Sequence, residues 1–237
     1  MSTFRFDVVS LFPEAFSNFL NHGIIKTAFE GEIASLHTHN PRNYAIDNYR
    51  KVDDAPYGGG AGMVLKPEPY FAVFDQIPKF NKKRVLLMTP QGSKICQSDF
   101  SRWSKEDQII LICGSYEGFD ERIRSLSDEE ISIGDFVLTG GEIPAITIIN
   151  GVVRLLPGTL GSAESLEEES HNELLLEHPQ YTRPSEFKGM KVPDVLLSGN
   201  HKLIKEWRQK QREIRTKHRR PDLYELWKAD QFLIDEN

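Results

Sequence analysis

Glycine is concentrated in this sequence at places where a backbone could close around a ligand. Residues 131–157 open as a short apolar run, break at Gly134-Asp135, resume as Phe136-Val137-Leu138 and turn on Gly140-Gly141. Glu142 and Pro144 follow, and the apolar run after them carries one cation, Arg154. Paired glycines between a strand and a Pro-started helix let main chain approach a ligand without a Cβ in the way. A helix start there also presents free N–H groups. Two similar loops follow apolar strands upstream, Thr89-Pro90-Gln91-Gly92 and Gly114-Ser115-Tyr116-Glu117-Gly118, and a fourth Gly-rich loop occupies 58–62. Ligands held mainly by backbone N–H and C=O groups include an adenine edge or a ribose. A cofactor without phosphates therefore fits better than NAD or ATP. No GxGxxG follows the first strand, and neither GxxxxGK[ST] nor HExxH occurs.

Two charged stretches add to this. Between Lys202 and Arg220 there are nine cations, Lys202, Lys205, Arg208, Lys210, Arg212, Arg215, Lys217, Arg219 and Arg220, opposed only by Glu206 and Glu213. Trp207 and His218 are interleaved among them. On a chain with net charge -6 this is a local electrostatic footprint of the kind nucleic acid binds. The acidic stretch holding Glu164, Glu167, Glu168, Glu169 and Glu173 reads as a solvated linker. A carboxylate in such a segment, buried when substrate binds, could also serve as a general base. A lone Arg154 on an apolar stretch needs an acceptor. His37 and His39 share a strand face without ligand partners at metal spacing, so no metal site is read there. His171 and His178 read as solvated. Cys96 and Cys113 read as buried free thiols.

The elements that must position these residues follow from hydrophobic period. Residues 4–11, 33–39, 84–88 and 108–113 read as strands, and 131–138 as a broken one. Helices are predicted over 16–31, 68–77, 98–105 with Ser98 as cap, 119–126, 202–217 and 223–232. Near-continuous apolar strands alternating with helices indicate an α/β fold, a parallel sheet flanked by helices, with ligands beyond the strands' carboxyl ends. With 237 residues, 39% of them hydrophobic, the chain can hold one large domain and a smaller one. The division predicted is 1–160 as the cofactor domain, 161–177 as a mobile acidic linker and 178–237 as a helical domain. No signal peptide or transmembrane run is read, which points to a soluble cytoplasmic protein.

The runs PYGGGAGM (56–63), TPQG (89–92), CGSYEGFDERI (113–123), SIGDFVLTGGEIPA (132–145), HPQYTRP (178–184), VPDVLLSGNH (192–201) and RRPDL (219–223) together resemble the bacterial tRNA (guanine-N1)-methyltransferase family, TrmD, of the SPOUT class. The resemblance covers essentially the whole chain. It implies methyl transfer from S-adenosylmethionine (SAM) to N1 of the guanosine immediately 3′ of the anticodon, where a second guanosine precedes it. It also implies a deep C-terminal trefoil knot in the α/β domain, a homodimer with a shared active site, and a small helical domain that grips tRNA. Dependence on a divalent ion such as Mg²⁺ is a further implication, although no dedicated ligand cluster is evident. By position, Pro90, Gly114, Tyr116, Glu117, Ile133, Gly134, Asp135, Phe136, Val137, Leu138, Gly140, Gly141 and Pro144 correspond to the cofactor pocket. Arg154 corresponds to an arginine of catalysis and guanosine recognition. The family's general base is usually an aspartate followed by Ser and an aromatic. Here that position reads Glu169-Ser170-His171, with Glu167 and Glu168 as neighbouring carboxylates. Phe136 stands where a tyrosine is common. The tRNA contacts implied fall on Ser198, Asn200, His201, Arg208, Arg215, Arg219 and Arg220. Competing readings are a non-catalytic RNA-binding module and a SPOUT methyltransferase of another RNA site.

Overall fold

A computed structural model describes residues 3–160, 170 and 174–235 of the chain. It divides into two compact units, Met1–Gly161 and Ser162–Asn237. The first is built on five parallel strands, β1 (Phe4–Val9), β2 (Ala34–His39), β5 (Lys83–Lys94), β6 (Gln108–Ile112) and β7 (Glu129–Ser132), in the order β2-β1-β6-β5-β7. A minor antiparallel pair, β3 (Asp53–Asp54) and β4 (Val64–Leu65), lies outside that sheet. The helices are α1 (Gly23–Glu30), α2 (Pro67–Gln76), α3 (Gln97–Trp103) and α4 (Glu142–Val153).

The alternation of side chains along each strand divides the core in two. Ile109 and Leu111 of β6 join Phe6, Val8 and Leu86 in a cluster with Ala28, Trp103, Ile148 and Val152 from α1, α3 and α4. Ile110 and Ile112 join Val9, Val85 and Leu87 in a second cluster with Tyr70 and Val73 of α2 and with Ile123. Both faces of the sheet are therefore covered. This is why β6 reads as an apolar run from Ile109 onward and is buried at all five positions.

One polar group lies in the middle of this sheet. Asp7 of β1 is fully buried and accepts hydrogen bonds from Arg5 Nε at 2.7 Å, Arg5 Nη2 at 2.8 Å and Gln108 Nε2 at 2.7 Å, with His39 Nε2 at 2.8 Å. Burial by itself would raise the Asp7 carboxyl. The bonds from His39, Arg5 and Gln108 outweigh it and hold the group well below the usual carboxylate range. A depressed folded-state value contributes stability at pH above the unfolded value of about 3.9, and that stability is lost as pH falls from there through the lower folded value. Asp7→Ala is predicted to lose about 3–5 kcal/mol near pH 7, the cost of stranding a buried ionic partner. The gap to the parent protein should narrow below about pH 4. Urea denaturation of both proteins across this range tests it, and an equal loss at all pH values would contradict it.

Several local expectations need correction. The helix predicted over 16–31 is interrupted. Residues Pro13–Phe16 and Phe19–Asn21 form 3₁₀ turns, and α1 begins only at Gly23, whose φ of 53° favours a residue without Cβ. Ser98 does not cap α3. The N-cap is Cys96, whose N–H donates to the Asp99 carboxylate at 2.9 Å. Cys96 is exposed and only Cys113 is buried. His39 has a carboxylate partner in Asp7, and His178 is buried rather than solvated. Residues 119–126 form a short 3₁₀ helix, Glu121–Leu126, capped by the Asp120 side chain accepting from Arg122 N. Residues 136–138 do not resume a strand. They form an extended loop with Phe136, Val137 and Leu138 at 53%, 81% and 41% exposure.

The second unit contains a small hairpin of β8 (Glu186–Phe187) and β9 (Met190–Lys191), which hydrophobic period did not predict. After it come a short α5 (Asp194–Leu197), a long α6 (His201–Arg219) and α7 (Pro221–Asp235). Asn200 caps α6 by accepting from Leu203 N. On α6 the buried residues are Arg212 and Thr216, whereas the apolar Leu203 and Ile214 are exposed. Thr216 Oγ1 donates to Arg212 O at 2.7 Å and accepts from Leu176 N at 2.8 Å, which ties the extended segment to the helix.

Candidate active site

Strands β6, β5 and β7 lie side by side with their carboxyl ends pointing the same way, and a cavity of about 400 Å³ opens at those ends. Its walls come from 88–91, 114–119, 131–134 and 136–141, together with Glu121, Arg124 and Pro144. Crevices at the carboxyl ends of parallel strands are the standard ligand position in such sheets. The 89–92 segment is not a strand end as expected. β5 continues through it, and the pairing with β7 jumps from Met88↔Ile131 to Ser93↔Ile131. The TPQG residues thus bulge out of the ladder, leaving Thr89, Pro90 and Gln91 in the cavity wall.

Glycine is needed here for close approach more than for unusual dihedrals. A Cβ on Gly141 would stand 2.7 Å from Cys113 Cα and 2.9 Å from Gly114 N. A Cβ on Gly92 would stand 2.4 Å from the Ile131 nitrogen. Gly141 N–H donates to Gly114 O at 2.9 Å, which joins the start of α4 directly to the end of β6. The Glu142 carboxylate is buried beside that turn and accepts from Ser10 Oγ at 2.6 Å, a placement the positive end of α4 favours. Tyr116, at the rim, has a φ of 59°, a strained value for a non-glycine residue of the kind that persists at ligand sites. The 58–62 loop does not line the cavity, but its end supports it. Glu117 N donates to Met63 O at 3.0 Å, and Leu65 N to Gly118 O at 2.9 Å.

Of the residues that sequence reasoning placed at a cofactor, the structure brings Pro90, Gly114, Tyr116, Glu117, Ile133, Gly134, Phe136, Val137, Leu138, Gly140, Gly141 and Pro144 into the walls of this one cavity. Asp135 is the exception. Its side chain is 81% exposed, lies outside the lining and meets Lys94 Nζ at 2.9 Å. Sequence reasoning held Gln91 and Ser115 only as members of the ligand loops, and it missed Glu121 and Arg124. Ser115 Oγ is buried without a hydrogen-bond partner among the described residues, as a group awaiting a ligand would be. Arg124 Nη2 donates to Gln91 Oε1 at 3.0 Å, Arg124 also pairs with Glu130, and its Nε lies 3.0 Å from Glu121 Oε2. The Glu121/Arg124 spacing of three, which suits ion pairing on a helix, was the available signal. Cys113 beneath the floor is not a nucleophile, because burial, with Glu142 nearby, pushes its thiol well above the ordinary range.

Arg154 is not among the lining residues. It caps the far end of α4, a twelve-residue helix whose near end bears the cavity glycines, so it stands roughly 20 Å along the axis from Gly141. Glu169, Glu167 and Glu168 lie outside the described residues. In the second unit, Ser198 and Asn200 make local capping bonds, with Asn200 N donating to Ser198 Oγ at 3.1 Å. Arg220 pairs with Asp222, while His201 and Arg219 are exposed and Arg208 and Arg215 are half-buried. Among the described residues no group of three or more His, Cys, Asp or Glu side chains could hold a metal ion. Among them also, no helix is long and apolar enough to cross a membrane.

A parallel sheet covered on both faces, with a cavity walled by glycine-bearing loops at the carboxyl ends of its strands, defines an α/β protein with a ligand site where such sheets carry one. Comparison with known sequences makes this specific. The chain belongs to the family described as tRNA (Guanine-1)-methyltransferase TrmD, whose model matches residues 4–226. It is 63% identical over 232 residues to the tRNA (guanine-N(1)-)-methyltransferase of Synechococcus sp. (strain CC9311), covering 98% of this chain and 97% of that protein. The like-named protein of Synechococcus sp. (strain WH7803) is 65% identical over 228 residues, covering 96% and 94%. That of Synechocystis sp. (strain ATCC 27184 / PCC 6803 / Kazusa) is 53% identical over 227 residues, covering 96% and 98%.

Proposed function

We propose that this protein transfers a methyl group from SAM to N1 of the guanosine immediately 3′ of the anticodon in tRNAs where another guanosine precedes it. The observation that carries the reading is the convergence of three glycine-bearing segments on one cavity in a chain of this family. The cavity fits the cofactor by its chemistry. Its glycines let main chain close on the ligand, and the Ser115 hydroxyl is left for a bond that no described residue makes. SAM, when bound, supplies a methyl group on a sulfonium that leaves readily.

The protein's own work is then positioning and proton removal. N1 of guanine carries a proton and is a poor nucleophile until that proton goes. Glu169 accepts it, and Arg154 steadies the negative charge that develops on the base. An anticodon loop is largely single-stranded, which keeps the cost of exposing the base low. The basic helix α6 holds the RNA, and the α/β unit carries the knot of its class. Among the described residues no group of three or more His, Cys, Asp or Glu side chains is placed to hold Mg²⁺.

The position of Arg154, a full helix length from the cavity of its own chain, supports a site completed by a second copy of the protein in a homodimer. Arg154→Ala and Gly141→Ala should each be inactive as homodimers. Co-expressed, they should recover about a quarter of the parent activity through mixed dimers that each retain one intact site. No recovery would place the arginine and the cavity in the same chain.

Methyl transfer from labelled SAM to a transcript with two guanosines at the anticodon's 3′ border tests the main reading. A matched transcript with the second guanosine changed to adenosine is the control. Transfer to the first alone, mapped to N1 of guanine, is the expected result. Transfer to both would move the target elsewhere in RNA. Binding of tRNA without SAM binding or transfer would favour a non-catalytic RNA-binding module.

A further inference from the structure

We infer that a second cavity, within the C-terminal unit, receives a single unstacked nucleotide of the RNA; this rests on the tRNA reading above and adds a subsite to it. The cavity is about 400 Å³, within the range of small-ligand sites, and lies where the 178–185 segment faces α5 and α6. Its apolar side is formed by Leu196 and Ile204, and its mouth carries Tyr181, Arg183 and Arg208. Tyr181 is 48% exposed, and its other side is backed by Trp207, with ring centroids 6.5 Å apart. An exposed ring held in place by a second ring is a stacking platform for a base. The exposed guanidinium of Arg183 suits a phosphate, which it binds through paired N–H donors, and Arg208 adds positive charge to the same lining. The hydroxyls of Thr182 and Ser185 add partners that can donate to or accept from a base edge.

The charge pattern selects the ligand. Among the described residues lining this cavity there is no Asp or Glu, and α6, which contributes Arg208, is the most basic element of an acidic chain. A cation-binding or basic-peptide site would show the opposite. Gln180 is already committed, since its amide donates to Glu177 at 2.6 Å, so the free polar capacity faces the mouth through Arg183, Thr182 and Ser185. RNA-binding modules commonly read unpaired nucleotides by splaying a base onto an aromatic ring while Arg holds its phosphate. The unpaired nucleotides of the anticodon loop are the ones available to enter.

The test uses the full chain and the two-guanosine tRNA transcript in equilibrium binding, with SAM affinity measured in parallel by calorimetry. Tyr181→Ala and Arg183→Gln are each expected to weaken tRNA binding roughly ten- to a hundredfold, the range of one lost base stack. SAM binding should be unchanged. Tyr181→Phe, which keeps the ring and its packing on Trp207, should bind within about twofold of the parent protein. Single abasic substitutions across the anticodon loop then identify the nucleotide. One position should weaken the parent protein but produce no further loss in Tyr181→Ala. The inference is overturned if Tyr181→Ala and Arg183→Gln bind tRNA like the parent, if Tyr181→Phe is as weak as Tyr181→Ala, or if no abasic position is coupled to Tyr181. In those cases parent-level methyl transfer leaves the enzyme reading intact. A parent protein that neither binds nor methylates the transcript overturns both.

Discussion

Gly141→Ala is expected to lower the affinity for SAM more than tenfold while costing about 1–3 kcal/mol of stability, the usual penalty for overpacking a filled site. One methyl group suffices because of what it would meet. Cys113 Cα at 2.7 Å and Gly114 N at 2.9 Å are main-chain atoms, and Met88 Cβ at 3.0 Å is rooted in β5. None is the far end of a flexible side chain. Relief therefore requires α4 to move away from β6, and that movement lengthens the Gly141 N–H to Gly114 O bond of 2.9 Å. It also displaces Gly114, Gly140 and Gly141, which stand in the cavity wall. Backbone dihedrals play no part, since Gly141 has φ −84° and ψ −2°, values that alanine accepts. Gly23→Ala provides the contrast. Its φ of 53° makes alanine cost roughly 1–2 kcal/mol, but nothing lies within 4 Å of the added Cβ, and Gly23 lines no part of the cavity. Both variants should melt earlier, and only Gly141→Ala should lose SAM in calorimetry. Parent-like SAM affinity in Gly141→Ala would mean that the α4–β6 approach is unrelated to the cofactor.

That approach also shows what could be read in advance. The glycine pair, the strand before it and the helix after it are local patterns, so the turn was legible at 140–141. The same holds for the parallel sheet, because β6 is apolar from Ile109 to Ile112 and only a sheet covered on both faces buries such a run. The convergence of 89–92, 114–118 and 134–141 on one cavity depends on strand order, β6-β5-β7, which no local pattern encodes. The errors have a common source. Phe136, Val137 and Leu138 are apolar like a strand, yet they lie half-exposed in the wall of a cavity, where apolar groups are needed for a ligand rather than for the core. Arg212 and Thr216 are polar and yet buried on α6, because Thr216 Oγ1 bonds both the helix and the 174–177 segment. Arg124 went unnoticed because its partners Gln91 and Glu130 come from other strands. In each case a tertiary demand overrode the periodic signal. Arg154 is the reverse case. Its type and family position were legible, but its place at the distal end of α4 could be known only from the helix that separates it from Gly141.

Glu169→Gln should reduce methyl transfer by roughly 10²–10⁴, the contribution typical of a general base, while SAM affinity stays near the parent value. The amide keeps the size of the carboxylate and loses only its ability to take a proton. A deficit in turnover at unchanged cofactor binding therefore isolates the chemical step. Guanine N1 holds its proton firmly at neutral pH, so the base must be placed against it; a carboxylate drawn out of water when RNA covers it gains basicity, because burial disfavours its charged form. The activity of the parent protein should accordingly rise with pH through a carboxylate value raised above the ordinary Glu range of about 4.3, and Glu169→Gln should lack that limb. Glu168→Gln separates this carboxylate from its neighbours. Three successive glutamates, Glu167, Glu168 and Glu169, offer the same chemistry, and only their spacing from the 179–184 run distinguishes them. If Glu169 is the base, Glu168→Gln stays within about threefold of the parent, as a solvated charge change would. A large loss in Glu168→Gln with none in Glu169→Gln would shift the base by one residue. An equal moderate loss in both would mean that the acidic stretch acts through its summed charge, and that proton removal from N1 is done by a group elsewhere.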